Sequence, residues 1–142
     1  MCYLGRELNK EKFIASKNRK CYKIVLSYKG NIDAPFRDFS YMFGTRYKTI
    51  CVPEYLSYED FCDYPNFANY VIFEGFHSFS TLEEVDRDID TYLSLINKYD
   101  SLSSLAIAEC TIPKGTIYYE HRGNIVSESI IINKLIRKYS IK

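Results

Sequence analysis

The sequence predicts an α+β fold, a mixed or mainly antiparallel sheet with one principal helix packed on it. Three observations carry that expectation. Short apolar runs bounded by turn signals occur at CYKIVLSY (21–28) and, toward the end, in SLAIAECTIP (104–113), TIYYE (116–120) and IVSESIII (125–132). One longer segment, TLEEVDRDIDTYLSLINKY (81–99), repeats its apolar residues at intervals of three and four. A length of 142 residues, with 46% hydrophobic and 26% charged, matches a single domain over 1–142.

Residues 1–20 are polar and basic after Leu8 and show no clear period, so they read as an arm or a short helix. In 21–28, Tyr22, Ile24, Leu26 and Tyr28 alternate with Cys21, Lys23, Val25 and Ser27 ahead of a Gly-Asn turn, which predicts a strand with one apolar face. Pro35, Pro53 and Pro65 break residues 31–70 into loops and short elements, with YMFGTRYKTICV (41–52) able to supply one more strand. NYVIFEGF (69–76) reads as a buried, central strand. The helix over 81–98 then packs on the sheet through Leu82, Val85, Ile89, Leu93 and Ile96. Three successive strands follow, joined by turns at PKG (113–115) and HRGN (121–124), and suggest a meander.

Formal net charge is +1, from 19 Lys and Arg against 18 Asp and Glu, so no overall field draws the chain to nucleic acid or to an anionic membrane. No apolar run approaches the roughly 18 residues of a membrane span, and the charged start MCYLGRELNKEKF does not read as a secretory signal; a cytoplasmic protein is expected. Five cysteines lack a C-x-x-C pair or a histidine at metal-ligand spacing, which predicts reduced thiols and no metal centre. Cys21 and Cys110 sit in strand-like runs as small hydrophobes. Fourteen Tyr and nine Phe with no Trp furnish a core edge, a contact surface or a stacking pocket, or reflect codon bias alone.

Candidate site residues gather in three stretches. In FHSFSTLEE (76–84), Ser80 with Glu83, or Thr81 with Glu84, forms a capping box at a helix start; the same free N–H groups, with His77, Ser78 and Ser80, are suited to an anion. In IPKGTIYY (112–119), Lys114 stands at the tip of a turn and Tyr118 and Tyr119 point to opposite faces. In GNIVSESIII, Glu128 is a carboxylate beside a buried strand edge, where a raised pKa or a catalytic task is conceivable. A ligand site would thus draw on His77, Ser78, Ser80, Lys114 and Tyr119. No Walker loop, dinucleotide fingerprint or nucleophile elbow is present, so no cofactor is expected.

The set CYK (21–23), GFHSF (75–79), IPKGTIYY (112–119) and IVSESIII resembles a family of small proteins of gut bacteria and their phages and mobile elements, over most of the chain after residue 20. That resemblance brings no activity with it. SFS, IPKGTIYY and SES also resemble, in order, the last third of ADP-ribosyltransferase-like domains, which implies a transferase-like fold. Two functions follow. One is a non-enzymatic accessory protein of a phage or mobile element that captures a host protein or a small anionic, nucleotide-like ligand, with self-association left open. The alternative is an NAD-dependent ADP-ribosyltransferase-like enzyme in which Glu128 orients the nicotinamide ribose and Tyr119 stacks on nicotinamide.

Overall fold

The computed structural model describes residues 12–35, 39–55, 70–72, 74–96 and 104–139. Twelve strands and one helix are found among them. In chain order the first seven strands are β1 (Phe13–Ile14), β2 (Arg19–Tyr28), β3 (Asn31–Asp33), β4 (Ser40–Tyr41), β5 (Arg46–Lys48), β6 (Pro53–Tyr55) and β7 (Tyr70–Ile72). After β8 (Phe76–Phe79) and the helix α1 (Leu82–Ile96) come β9 (Ser104–Ile112), β10 (Ile117–His121), β11 (Asn124–Ser127) and β12 (Ser129–Tyr139). All pairings are antiparallel.

The α+β expectation, with its transferase-like variant, is overturned: among the described residues strand makes up 56% and helix 14%, so this is a largely β fold with an accessory helix. Helical periodicity over 82–96 is real, but the strands outnumber it because several are too short, at two or three residues, to show a period. Two further expectations need correction. NYVIFEGF is not one central strand: β7 pairs with β6 in a separate two-stranded sheet, and β8 opens only at Phe76. Gly75 immediately precedes β8, where its φ of +139° suits glycine and a Cβ would lie 2.4 Å from Val126 Cγ1 and 2.6 Å from Cys51 Sγ. Nor do the last strands form a meander. β10 and β11 make a hairpin through Arg122 and Gly123, both at positive φ as a two-residue turn demands, but β9 pairs with β2 and β12.

The order of the large sheet is β1-β10-β11-β8-β2-β9-β12-β5, with β3 and β4 branching from β2. β11 and β12 are one run of chain interrupted at Glu128. The pairing path is open, with β1 and β5 at its ends, but this one run of chain borders β8 with its first part and β9 with its second, and both β8 and β9 border β2. A run shared in this way rolls the sheet. Three hydrogen bonds fasten the seam. The Glu128 N–H donates to the Ile117 carbonyl (2.9 Å), the Thr49 N–H to the Glu128 carbonyl (2.8 Å), and the Cys51 N–H to Glu128 Oε2 (2.8 Å). Across the roll, Arg19 of β2 reaches Glu120 of β10 with two parallel bonds of 2.8 Å, and its guanidinium lies 5.3 Å from the Tyr118 ring.

Rolling gives the sheet an interior and an exterior. Inside lie Cys21, Val25, Phe76, Ala106, Ala108, Cys110, Ile112, Ile125, Ile130 and Ile132. Outside, α1 lays Val85 and Ile89, with partly buried Leu82, Tyr92 and Leu93, over Ile24, Phe79, Leu105 and Ile107. The helix is therefore an exterior cover. No helix among the described residues is long and apolar enough to cross a membrane.

Candidate functional site

At one rim of the roll a cavity of about 260 Å³ opens. Its walls are aromatic: Phe39 ahead of β4, Tyr41 on β4, Tyr47 on β5 and Phe76 on β8. Lys48, Thr49 and Glu74 supply its polar side. The rings brace one another edge to face, Tyr41 and Tyr47 at 5.3 Å and 90°, Phe39 and Tyr41 at 4.9 Å and 66°, Phe39 and Tyr47 at 5.4 Å and 74°. The Met42 N–H donates to the Tyr47 hydroxyl at 2.6 Å, which fixes that ring. Behind Tyr41, Lys23 directs its ammonium at the ring from 5.8 Å. Tyr41 thus lines the cavity and has a buried cation over its ring.

Lys23 is among the largest fully buried side chains of the described residues, placed inside because it shares the face of Cys21 and Val25 on β2. Its ammonium donates to the His77 carbonyl at 2.7 Å. Burial lowers its pKa from 10.5 to about 8, while the nearby thiols Cys110 and Cys21 favour the charged form. Ser78 Oγ, on the interior face of the adjoining strand, is buried and has no hydrogen-bond partner. A buried cation, two thiols and an unengaged hydroxyl in one apolar interior are the features that packing alone does not require.

The residues singled out in the sequence are distributed over several surroundings. His77 is buried on the exterior face, its ring 4.8 Å from Phe79 and its Nε2 3.3 Å from Asn124 Oδ1. Ser78, one residue on, faces the interior. The register rows Tyr119–Val126–His77 put Tyr119 on the face of His77, with Val126 between them. Tyr119 packs with Val126 and Cys51, and burial raises its hydroxyl pKa. Lys114 is exposed at its turn, and its N–H donates to Asn18 Oδ1 at 2.9 Å. Ser80 donates its N–H to the Gly123 carbonyl, while Thr81 Oγ1 accepts the Glu84 N–H at 3.3 Å. Thr81 is thus the cap, and Glu84, which pairs with Arg87 at 3.1 Å, fills the space under Gly123. Glu128 has one carboxylate oxygen on the Cys51 N–H and its backbone in the seam. Burial and Glu128 together push the Cys51 thiol up to about 12.

Sequence reading missed Phe39, Tyr41, Tyr47, Lys48 and Glu74. The signal lay in FSYMFGTRYK (39–48), where the aromatic surplus is locally concentrated between turn residues. Comparison with protein-family models, with characterised proteins and with solved structures finds no match for this chain.

Proposed function

We propose that this protein binds a small anionic ligand with one planar ring, held in the aromatic cavity. The cavity's composition carries the reading: four aromatic side chains beside Lys48, Thr49 and Glu74. At about 260 Å³ it lies just under the roughly 300–1,000 Å³ of drug-sized sites, which suits a single ring system with its charged group outside. Ring stacking on Tyr or Phe contributes about 1–3 kcal/mol per base, Lys48 gives a phosphate or carboxylate its counter-ion, and Glu74 accepts from an amine or hydroxyl. A pyrimidine nucleoside monophosphate has all three features. The reading is non-enzymatic: Glu128, on which a transferase would depend, is engaged with the Cys51 N–H.

The chain has no Trp, so its intrinsic fluorescence is the sum over fourteen tyrosines, and the part due to the cavity is the difference between wild type and Tyr47→Ala. Titration with uridine monophosphate is expected to quench it, with Tyr47→Ala abolishing the response and Lys48→Ala weakening affinity about tenfold, the loss of one charge-assisted contact. Quenching that is absent, or equal in all three proteins, rules the cavity out as a binding site. A protein partner is the second reading, favoured by exposed Met42, Phe43, Ile50 and Val52 along the same segment. In that case Ile50→Asp and Val52→Asp leave the titration unchanged and abolish co-purification of the partner.

A further inference from the structure

β2 and β9 pair so that Cys21 lies directly opposite Cys110, both fully buried on the interior face. Directly opposed residues of an antiparallel pair have Cα atoms about 4.5–5.5 Å apart, inside the roughly 4.4–6.8 Å that a disulfide spans. Both are free thiols in this structure. On β2 the residues two before and two after Cys21 are Arg19 and Lys23, so alternation sets a cation on each side of the sulfur. Each cation is fixed from elsewhere, Arg19 by the paired bonds to Glu120 and Lys23 by the His77 carbonyl. Ser78 Oγ, buried without a partner while Cys21 is a thiol, is a ready donor to its thiolate.

We propose that Cys21 and Cys110 form a hydroperoxide-reactive dithiol, in which Cys21, set between Arg19 and Lys23, is the sulfur oxidised first and Cys110 closes a cross-strand disulfide onto it. The Cys21 thiolate attacks the terminal peroxide oxygen. The O–O bond breaks, the leaving alkoxide or hydroxide takes up a proton, and Cys21 becomes a sulfenic acid. Cys110 sulfur then attacks the Cys21 sulfur, the S–O bond breaks, and the departing hydroxide leaves as water with the Cys110 proton. The dithiol loses two electrons and the hydroperoxide gains them.

The order rests on placement, since Arg19 and Lys23 flank Cys21 on its own strand. Cys21 ionises below its ordinary value, chiefly because the Cys110 thiol donates to it, with Ser78, Lys23 and Arg19 adding to the effect against burial. Cys110 is held well above its ordinary value by burial and by the neighbouring Cys21. Cys51, pushed up to about 12 by burial and by Glu128, is the internal control.

Hydrogen peroxide is the probe, being water-sized and able to enter a packed interior during local opening. After exposure the full chain is denatured, alkylated and mapped by mass spectrometry. The expected product has lost two hydrogens, links the Cys21 and Cys110 peptides, and leaves Cys51 alkylated. In Cys110→Ser, dimedone should trap a sulfenic acid at Cys21, and in Lys23→Met its formation should slow about tenfold, the equivalent of one unit of thiol pKa. The dithiol assignment is overturned if Cys21 and Cys110 stay alkylatable under peroxide that oxidises Cys51, or if dimedone labels Cys51 and not Cys21. An unchanged rate in folded Lys23→Met overturns the role given to the cation.

Discussion

Beneath α1, the sheet exterior carries Ile24, Phe79, Leu105 and Ile107 against Val85 and Ile89, and every one of these core side chains is apolar. On the other face of the same strands stand Cys21, Lys23, Ser78 and Cys110, buried as deeply. The exterior layer gains stability from area removed from water, at roughly 25 cal/mol per Å². In the interior, part of that gain is offset by desolvating a lysine and leaving a serine unengaged. The layer under the helix is apolar throughout, and the buried polar groups lie within the roll.

The sharpest way to break this contrast is to place a charge in the apolar layer. Ile89→Asp buries an unpaired carboxylate under α1 and should cost about 3–5 kcal/mol in urea unfolding. A loss below about 1 kcal/mol would mean that the helix is not fixed to the sheet.

Lys23 tests the interior from the opposite direction. Folded Lys23 gives up its proton at about 8, whereas the unfolded chain keeps it to about 10.5. Between these values the unfolded state binds more protons, so this group's contribution makes the protein more stable as pH rises. Wild type should gain on the order of 3 kcal/mol relative to Lys23→Met between pH 7 and 10.5. A pH-independent difference between the two would show that burial does not strain the ammonium.

Gly75→Ala should come next, at about 2 kcal/mol, because its methyl meets Val126 and Cys51 and its φ is unfavourable for alanine. Thermal melting checks it, and the effect should shrink when Cys51→Ala makes room. The smallest expected effect separates the two hydroxyls ahead of α1. Thr81→Ala should lose up to about 1 kcal/mol and Ser80→Ala almost none. Equal losses would return Ser80 to the cap.

The exterior layer was legible in the sequence because its information is local. Leu82, Val85, Ile89 and Leu93 announce a helix, and β2, β9 and the β10–β11 hairpin announce themselves by alternation and turn residues. The interior was not. Alternation in β2 marked Tyr22, Ile24, Leu26 and Tyr28 as the apolar face, yet Cys21, Lys23 and Val25 are the more buried set, since a rolled sheet covers both faces. IVSESIII reads as one strand, but its two halves serve different neighbours, and pairing partners are set by residues tens of positions away. The aromatic cavity depends on β4 and β5, too short to carry any period.

The central place of β2 bears on how the chain is made. Its last residue is Tyr28, but its principal partner β9 ends at Ile112, which is 112 − 28 = 84 residues later. At about 5–20 residues per second of synthesis, one edge of β2 waits on the order of 4–17 s for its neighbour. KIVLSY would be a template for misassembly during that interval, were it uniformly apolar. Lys20 and Lys23 keep the nascent segment charged, so the lysine that burdens the finished interior guards the chain before that interior exists.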